Sequence, residues 1–260
     1  NRQELRRVRC RNLTWAPMHD GIDYHSGHWA KLAQSGLKVL NFSQVGQRFF
    51  SSLGYPCLPV RYYPEVEQLP HARFANDALD VLFWMRRTQL DWPLLRSLLG
   101  DQRPRRIVLR HAPDPGESPM LPTSDEIAEY RIELHQDWLS SEAYAALLSS
   151  CNVFIAPRIS EGIGMAMLEA MARGMAVIAA NAPTMNEYLV AGETGYLFDL
   201  TAPRALNLSN AANLGVRARQ AVLVGYEGWL KAIPELLDFI DQPSSRPASW
   251  QWSARRWLGF

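Results

Sequence analysis

Two glutamates, Glu161 and Glu169, flank a Gly-x-Gly turn in the run Pro157-Arg-Ile-Ser-Glu161-Gly-Ile-Gly-Met-Ala-Met-Leu-Glu169-Ala-Met-Ala-Arg-Gly174-Met-Ala-Val-Ile-Ala. The pattern reads as a strand end, a loop holding Gly162 and Gly164, and a helix opening at Met165. Glycines let backbone approach a ligand closely, and a helix start offers open N–H groups at the positive end of its dipole. Such a corner suits a diphosphate. Glu169, one or two turns into the helix, is within reach of a ligand lying over that terminus, where a carboxylate can accept two hydroxyl hydrogen bonds, as from a ribose. Glu161 stands ahead of the helix, near where a transferred group would project. Each part alone is weak, because Gly-x-Gly loops are common and a helical glutamate is usually a solvated face. Here Met165, Met167, Leu168, Ala170, Met171 and Ala172 surround Glu169 in sequence. A carboxylate in so apolar a helix needs a partner.

The elements that must position these residues alternate. Val39 to Phe42 reads as a strand, Ser43 to Leu53 as a helix closed by Gly54, and Cys57 to Pro64 as a second strand run ended by proline. Glu65 to Ala78, rich in proline and without a period, reads as a linker. A second series then follows. Strands are expected at Leu79–Trp84, Arg106–Arg110, Arg131–His135, Asn152–Ala156, Ala176–Ala180 and Tyr196–Phe198. Helices are expected at Trp92–Leu99, Asp125–Tyr130, Ser140–Ser150 with Ser140 as N-cap, Met165–Arg173 and Asn186–Ala191, with a long one from Asn207 to Ile240. This alternation predicts an α/β fold with a parallel, doubly wound sheet, whose ligands sit beyond the carboxyl ends of the strands. Three regions result: 1–70, a partial amino-terminal Rossmann-like domain and linker; 71–242, a nucleotide-binding domain; and 243–260, an aromatic and basic tail.

Glu-Gly-x-Gly with a second Glu eight residues on, Ala-Met-Ala-x-Gly-x-x-Val-Ile-Ala, and then Asn186-Glu-Tyr-Leu-Val-Ala-Gly-Glu-Thr-Gly-Tyr-Leu-Phe together resemble a known domain. It is the carboxyl-terminal, donor-binding domain of retaining GT-B glycosyltransferases of family four, the glycosyl transferases group 1. The resemblance is good from Tyr144 to Asp199 and fainter from Leu79 and over Leu37 to Pro64. It implies a GT-B type fold with an incomplete amino-terminal α/β layer. It implies transfer of a hexosyl group from a nucleotide-diphosphate sugar to a glycan or lipid-linked acceptor with retention, as in bacterial surface polysaccharide synthesis.

Residue by residue, the resemblance makes Glu161 the catalytic residue at the transferred sugar and Glu169 the ribose ligand. It assigns the backbone N–H groups of Gly162, Ile163, Gly164 and Met165 to sugar or phosphate oxygens. The family's basic pair, an Arg with a Lys five residues on, falls at Trp84-Met-Arg86-Arg87-Thr-Gln-Leu-Asp-Trp92. Arg86 or Arg87 can meet the diphosphate, but no lysine follows, so the clamp is altered. No cofactor and no metal are expected, because basic groups and the helix end neutralise the leaving diphosphate. His19 and Asp20, near His25 and His28, form the one polar cluster of the amino-terminal fragment and the candidate acceptor-side residues; surface histidines in a turn are the plainer reading.

The rest of the chain sets bounds. A formal net charge of +1 excludes a global field for nucleic acid. Three scattered cysteines lack zinc-ligand spacing, which fits a reducing compartment. The expected localisation is cytoplasmic, with peripheral contact on the inner membrane face through Trp250, Trp252, Arg255, Arg256, Trp257 and Phe260 as the bolder reading and a tail packed back on the other half as the plainer one. The first residue is Asn1, not Met, which points to a processed or truncated chain holding about the last third of the amino-terminal layer. The competing reading is a non-catalytic nucleotide-sugar-binding subunit or an inactive fragment of a larger transferase. An epimerase of similar halves accounts less well for Glu-Gly-x-Gly.

Overall fold

The computed structural model describes residues 12–33, 36–67, 69–137 and 139–244. The chain divides into two compact units: the described residues up to Arg61 together with those from Leu230, and Tyr62–Trp229. The tail expected at 243–260 lies outside the described residues from 245 onward.

The first unit has a three-stranded parallel sheet of β1 (Thr14–Trp15), β2 (Lys38–Asn41) and β3 (Cys57–Pro59), in the order β1-β2-β3. Its helices are α1 (His28–Ala33) and α2 (Gln44–Ser52). The α2 helix starts where the sequence places it, because the Ser43 hydroxyl accepts from the Gly46 amide at 2.9 Å. Its apolar side buries Phe50 against Trp15 and Trp29, with edge contacts of 5.6 Å between ring centres, and Leu37 and Val39 complete this small core. Lys38 is buried, and its ammonium donates to the carbonyls of Phe239, Ile240 and Gln242. It thus caps a helix end with positive charge.

The second unit carries the long series expected from the alternation. Its strands are β4 (Asp80–Met85), β5 (Arg106–His111), β6 (Ile132–His135), β7 (Val153–Ile155), β8 (Ala176–Ala180) and β9 (Tyr196–Phe198). Between them run α3 (Trp92–Leu99), α4 (Ser124–Tyr130), α5 (Ser141–Ser149), α6 (Met165–Ala172) and α7 (Met185–Tyr188), and α8 (Ala211–Asp241), which belongs to this unit up to Trp229, follows β9. All pairings are parallel and the order is β6-β5-β4-β7-β8-β9. Numbered within this series, that is 3-2-1-4-5-6, the order of a Rossmann sheet. The strand order reverses between β4 and β7, and the carboxyl ends of these two parallel strands open the crevice where such sheets bind ligands.

Local chemistry sets the helix starts. Asp91 caps α3, accepting from Leu94 N at 3.1 Å, and Pro93 lies in its first turn. Thr123 and Glu126 form a capping box on α4. Backbone and side-chain hydrogen bonds from Thr123, with further help from Trp92 and Arg96, pull the Glu126 carboxyl down to about 2. Alternation along the strands sends Val81, Phe83, Met85, Ile107 and Leu109 to one face, packed with Leu94, Leu95 and Leu98. Leu82, Val108, Phe154, Val177 and Ala179 go to the other, packed with Met167, Leu168 and Met171 of α6. Each such buried Val, Leu, Ile, Phe or Met side chain contributes roughly 1.5–3 kcal/mol.

One segment departs from the sequence reading in detail, and one close approach adds to it. The described residues of 65–78 hold no strand or α-helix, yet they are not a loose tether. Val66 is 1% exposed, Ala72 N donates to Arg173 O at 2.7 Å, and Asn152 holds the carbonyls of Arg73 and Ala78. Within α8, Gly215 presses on Gly174. A Cβ there would stand 2.1 Å from the Gly174 carbonyl oxygen, so only glycine permits this approach.

Candidate functional site

The Gly-x-Gly corner follows β7 as the sequence implies. Gly162 and Gly164 are buried, and Gly164 adopts φ 77° and ψ 45°, a left-handed conformation that suits glycine. No side chain caps α6; Gly164 itself is the N-cap, and its carbonyl accepts from Leu168 N at 3.0 Å. Ile163 packs in the core beneath α6, while the Met165 side chain is exposed. The turn brings the Glu161 carboxylate back over Gly164, where a Cβ would stand 3.9 Å from Oε2. Thr184, fully buried, donates its hydroxyl to the Glu161 carbonyl at 3.0 Å and fixes the loop from below. Arg158 Nε lies 3.6 Å from Glu161 Oε1.

Glu169 is half-buried on α6, and among the described residues its carboxylate takes part in no hydrogen bond or ion pair. Its charge acts on Tyr144 of α5, whose hydroxyl is pushed up to about 12, by burial first and by Glu169 second. The Tyr144 hydroxyl has no hydrogen-bond partner among the described residues. The partner that an apolar helix demands of Glu169 is therefore not supplied from within this unit.

Arg86 and Arg87 follow β4 at the same edge. Both meet an acid that sequence reading did not single out, Asp114 of the loop after β5. Arg86 donates to Asp114 Oδ1 through Nε at 2.9 Å and Nη2 at 2.5 Å. Arg158, arriving from β7, donates to Asp114 Oδ2 at 2.7 Å, and Arg87 Nη1 stands 3.5 Å from the same oxygen. Arg87 also pairs with Glu117 at 3.3 Å. Burial would raise the Asp114 carboxyl, but the hydrogen bond and charge of Arg86, with Arg158 and Arg87, outweigh it and hold Asp114 below the usual carboxylate range. Three guanidinium groups from two strand ends thus converge on one carboxylate at the point where the strand order reverses.

Behind them lies Arg110 of β5, in register with Trp84 of β4 and 4% exposed. Its guanidinium carbon stands 4.1 Å from the Trp84 ring centre and 5.1 Å from that of Tyr144; Arg86 covers Trp84 at 4.6 Å. Arg110 Nε has no hydrogen-bond partner among the described residues. Burial lowers its pKa, and the neighbouring Arg86 charge works in the same direction. Trp84, Arg110, Asp114, Tyr144 and Arg158 were all missed from the sequence. One signal was available: in Arg106-Ile-Val-Leu-Arg110, alternation puts a cation on a face shared with Val108, in a strand buried on both sides.

His19 and Asp20 lie in the first unit, in a 3-10 turn at His19–Gly21, where His19 Nδ1 meets the Tyr24 hydroxyl at 2.7 Å. Among the described residues no group of three His, Cys, Asp or Glu is arranged to hold a metal, and no helix is long and apolar enough to cross a membrane. Cys57 and Cys151 are free thiols. A cavity of about 900 Å³ opens at the opposite, amino edge of the sheet, near Phe74, Leu79, Gln102, Arg105 and Glu129. None of the motif residues lines it.

Residues 121–210 match the model of the family described as glycosyl transferases group 1, a segment that contains Glu161, the Gly-x-Gly corner and Glu169. No curated protein matches the sequence. The solved structures similar to it include sucrose-phosphate synthase from Thermosynechococcus elongatus, at 19% identity and TM-score 0.57 over 77% of this chain and 57% of that one. They include S. aureus TarM at 12% identity and TM-score 0.61, over 88% and 50%. HepE from Anabaena in complex with UDP has 16% identity and TM-score 0.57, over 86% and 72%. The chain spans between half and three-fifths of the first two structures' length. The fold is that of GT-B glycosyltransferases.

Proposed function

We propose that Tyr62–Trp229 binds a nucleotide-diphosphate sugar and serves the transfer of its hexosyl group, with retention, to a glycan or lipid-linked acceptor, as in bacterial surface polysaccharide synthesis. The observation that supports this reading most is the meeting of three features at one edge: the uncapped start of α6, the half-buried Glu169 without an internal partner, and the arginines that follow β4 and β7. Oxygen atoms of a diphosphate would take the amide groups of Gly162 to Met165 and the guanidinium groups of Arg86 and Arg158. Glu169 would accept from the two ribose hydroxyls, and Glu161 would stand beside the transferred sugar. Catalysis would then rest on alignment and on neutralising the leaving diphosphate, with no metal or cofactor required. HepE, whose structure holds UDP, and a family match that spans this corner support the same ligand class.

Calorimetric titration of the whole chain with UDP, GDP, ADP and dTDP tests the reading. One of these binds, and Glu169→Ala weakens that binding about ten- to hundredfold, the loss of hydrogen bonds to a charged acceptor. Unchanged affinity in a folded Glu169→Ala protein refutes the ribose role.

A further inference from the structure

The arginines that the proposed donor site needs are not waiting for a ligand; each is held by an acid of the loop 112–118. We propose that Asp114 is an internal competitor for the diphosphate, occupying Arg86, Arg87 and Arg158 in the free protein and yielding them when a diphosphate enters. The inference rests on the donor-site reading above and goes beyond it by naming what must leave for the ligand to bind.

Geometry supports exchange rather than a permanent strut. The Asp114 carboxylate spreads over both oxygens, Oδ1 to Arg86 at 2.5 and 2.9 Å and Oδ2 to Arg158 at 2.7 Å, as one phosphate of a ligand would. The three guanidinium groups keep 24 to 38% of their side-chain surface exposed, so an incoming anion can reach them. A diphosphate brings more charge and more acceptor oxygens than one carboxylate, and charge-assisted hydrogen bonds favour it.

The loop itself has little to lose by moving. Pro113, Pro115, Gly116 and Ser118 are exposed, and Gly116 sits at φ 84°. What ties the loop down is polar. Asp114 N donates to the Arg86 carbonyl at 3.0 Å, and Glu117 accepts from Thr88 N and Oγ1 at 2.7 and 2.8 Å. Glu117 is thus a second, weaker latch, and its pairing with Arg87 keeps that arginine from the ligand as well.

The test uses the full chain, as wild type, Asp114→Asn and Glu117→Gln, titrated with inorganic pyrophosphate and with UDP, GDP, ADP and dTDP, with folding checked by circular dichroism. Asp114→Asn keeps the shape and removes the charge; its affinity for the bound nucleotide and for pyrophosphate rises about tenfold or more. Glu117→Gln gives a smaller gain, about two- to threefold. If the wild type binds a nucleotide but folded Asp114→Asn binds it equally or more weakly, Asp114 orients the arginines and the competition idea falls while the donor reading stands. If Asp114→Asn does not fold, Glu117→Gln decides, and equal or weaker binding by it overturns the proposal. If no protein binds any probe, both readings fail together.

Discussion

At the amino edge of the six-stranded sheet, Asp80 is 3% exposed and pairs with Arg105 through both oxygens and with Arg106 at 3.5 Å. Beside it Asn152, 1% exposed, accepts from Asp80 N at 2.9 Å and donates to the Arg73 and Ala78 carbonyls at 2.9 and 2.8 Å. At the carboxyl edge, Asp114 meets three arginines, while among the described residues Nε of a fourth, Arg110, has no hydrogen-bond partner and no ion pair joins Glu169 to an arginine. The materials are the same, arginine against carboxylate, yet one edge closes its accounts of donors and acceptors and the other leaves them open. A satisfied buried network holds strand ends in register; an unsatisfied one costs stability and is kept where something else completes it. The contrast separates a closed edge from an open one, and the proposed donor site belongs to the open edge.

The comparison breaks most visibly at Asn152. Asn152→Ala leaves three backbone groups without their partner, and urea unfolding shows a loss of about 3 kcal/mol with nucleotide binding unchanged in the folded fraction. A loss below about 1 kcal/mol would mean that the amino edge is not the closed network described. Arg110 is the matching position at the other edge. Arg110→Met keeps the contacts with Trp84 and Tyr144 but removes a buried charge, so stability changes by less than about 1 kcal/mol or rises. A drop of about 2 kcal/mol would show that Arg110 is already well paired in the free protein.

The smallest effect is in pH. The folded-state pKa of Asp114 lies below its unfolded value, so its contribution is present above the unfolded carboxylate range, near pH 4, and is lost as pH falls through the folded value. The stability gap between wild type and Asp114→Asn is therefore constant from pH 7 to 5 and narrows below pH 4. A gap that narrows already between pH 7 and 5 contradicts the ion-pair assignment.

Much of the fold was legible because it is local. The spans of α3, β8 and β9 coincide with those read from the sequence, since Asp91 and Pro93 mark a helix start and Ala176-Val-Ile-Ala-Ala is apolar throughout between Gly174 and the turn Asn181-Ala-Pro-Thr184. Ser43, Thr123 and Ser140 cap the helices they precede, because a cap acts over three residues. The segment 65–78 was less legible. Prolines and the lack of a period say that it forms no helix, but nothing local says that Val66 and Ala72 lie against α6 and the core beneath it.

By itself, then, the chain's order of residues determined the alternating elements, the glycine corner and the two glutamates around it, all properties of neighbours within a turn or two. Only the tertiary structure decided what the arginines do. Arg86 and Asp114 are 28 residues apart, Arg158 and Asp114 44 apart, and they meet because β4, β5 and β7 end side by side. An ion pair across strand ends leaves no periodic trace in sequence, since its partners share a place in the sheet and not a spacing along the chain.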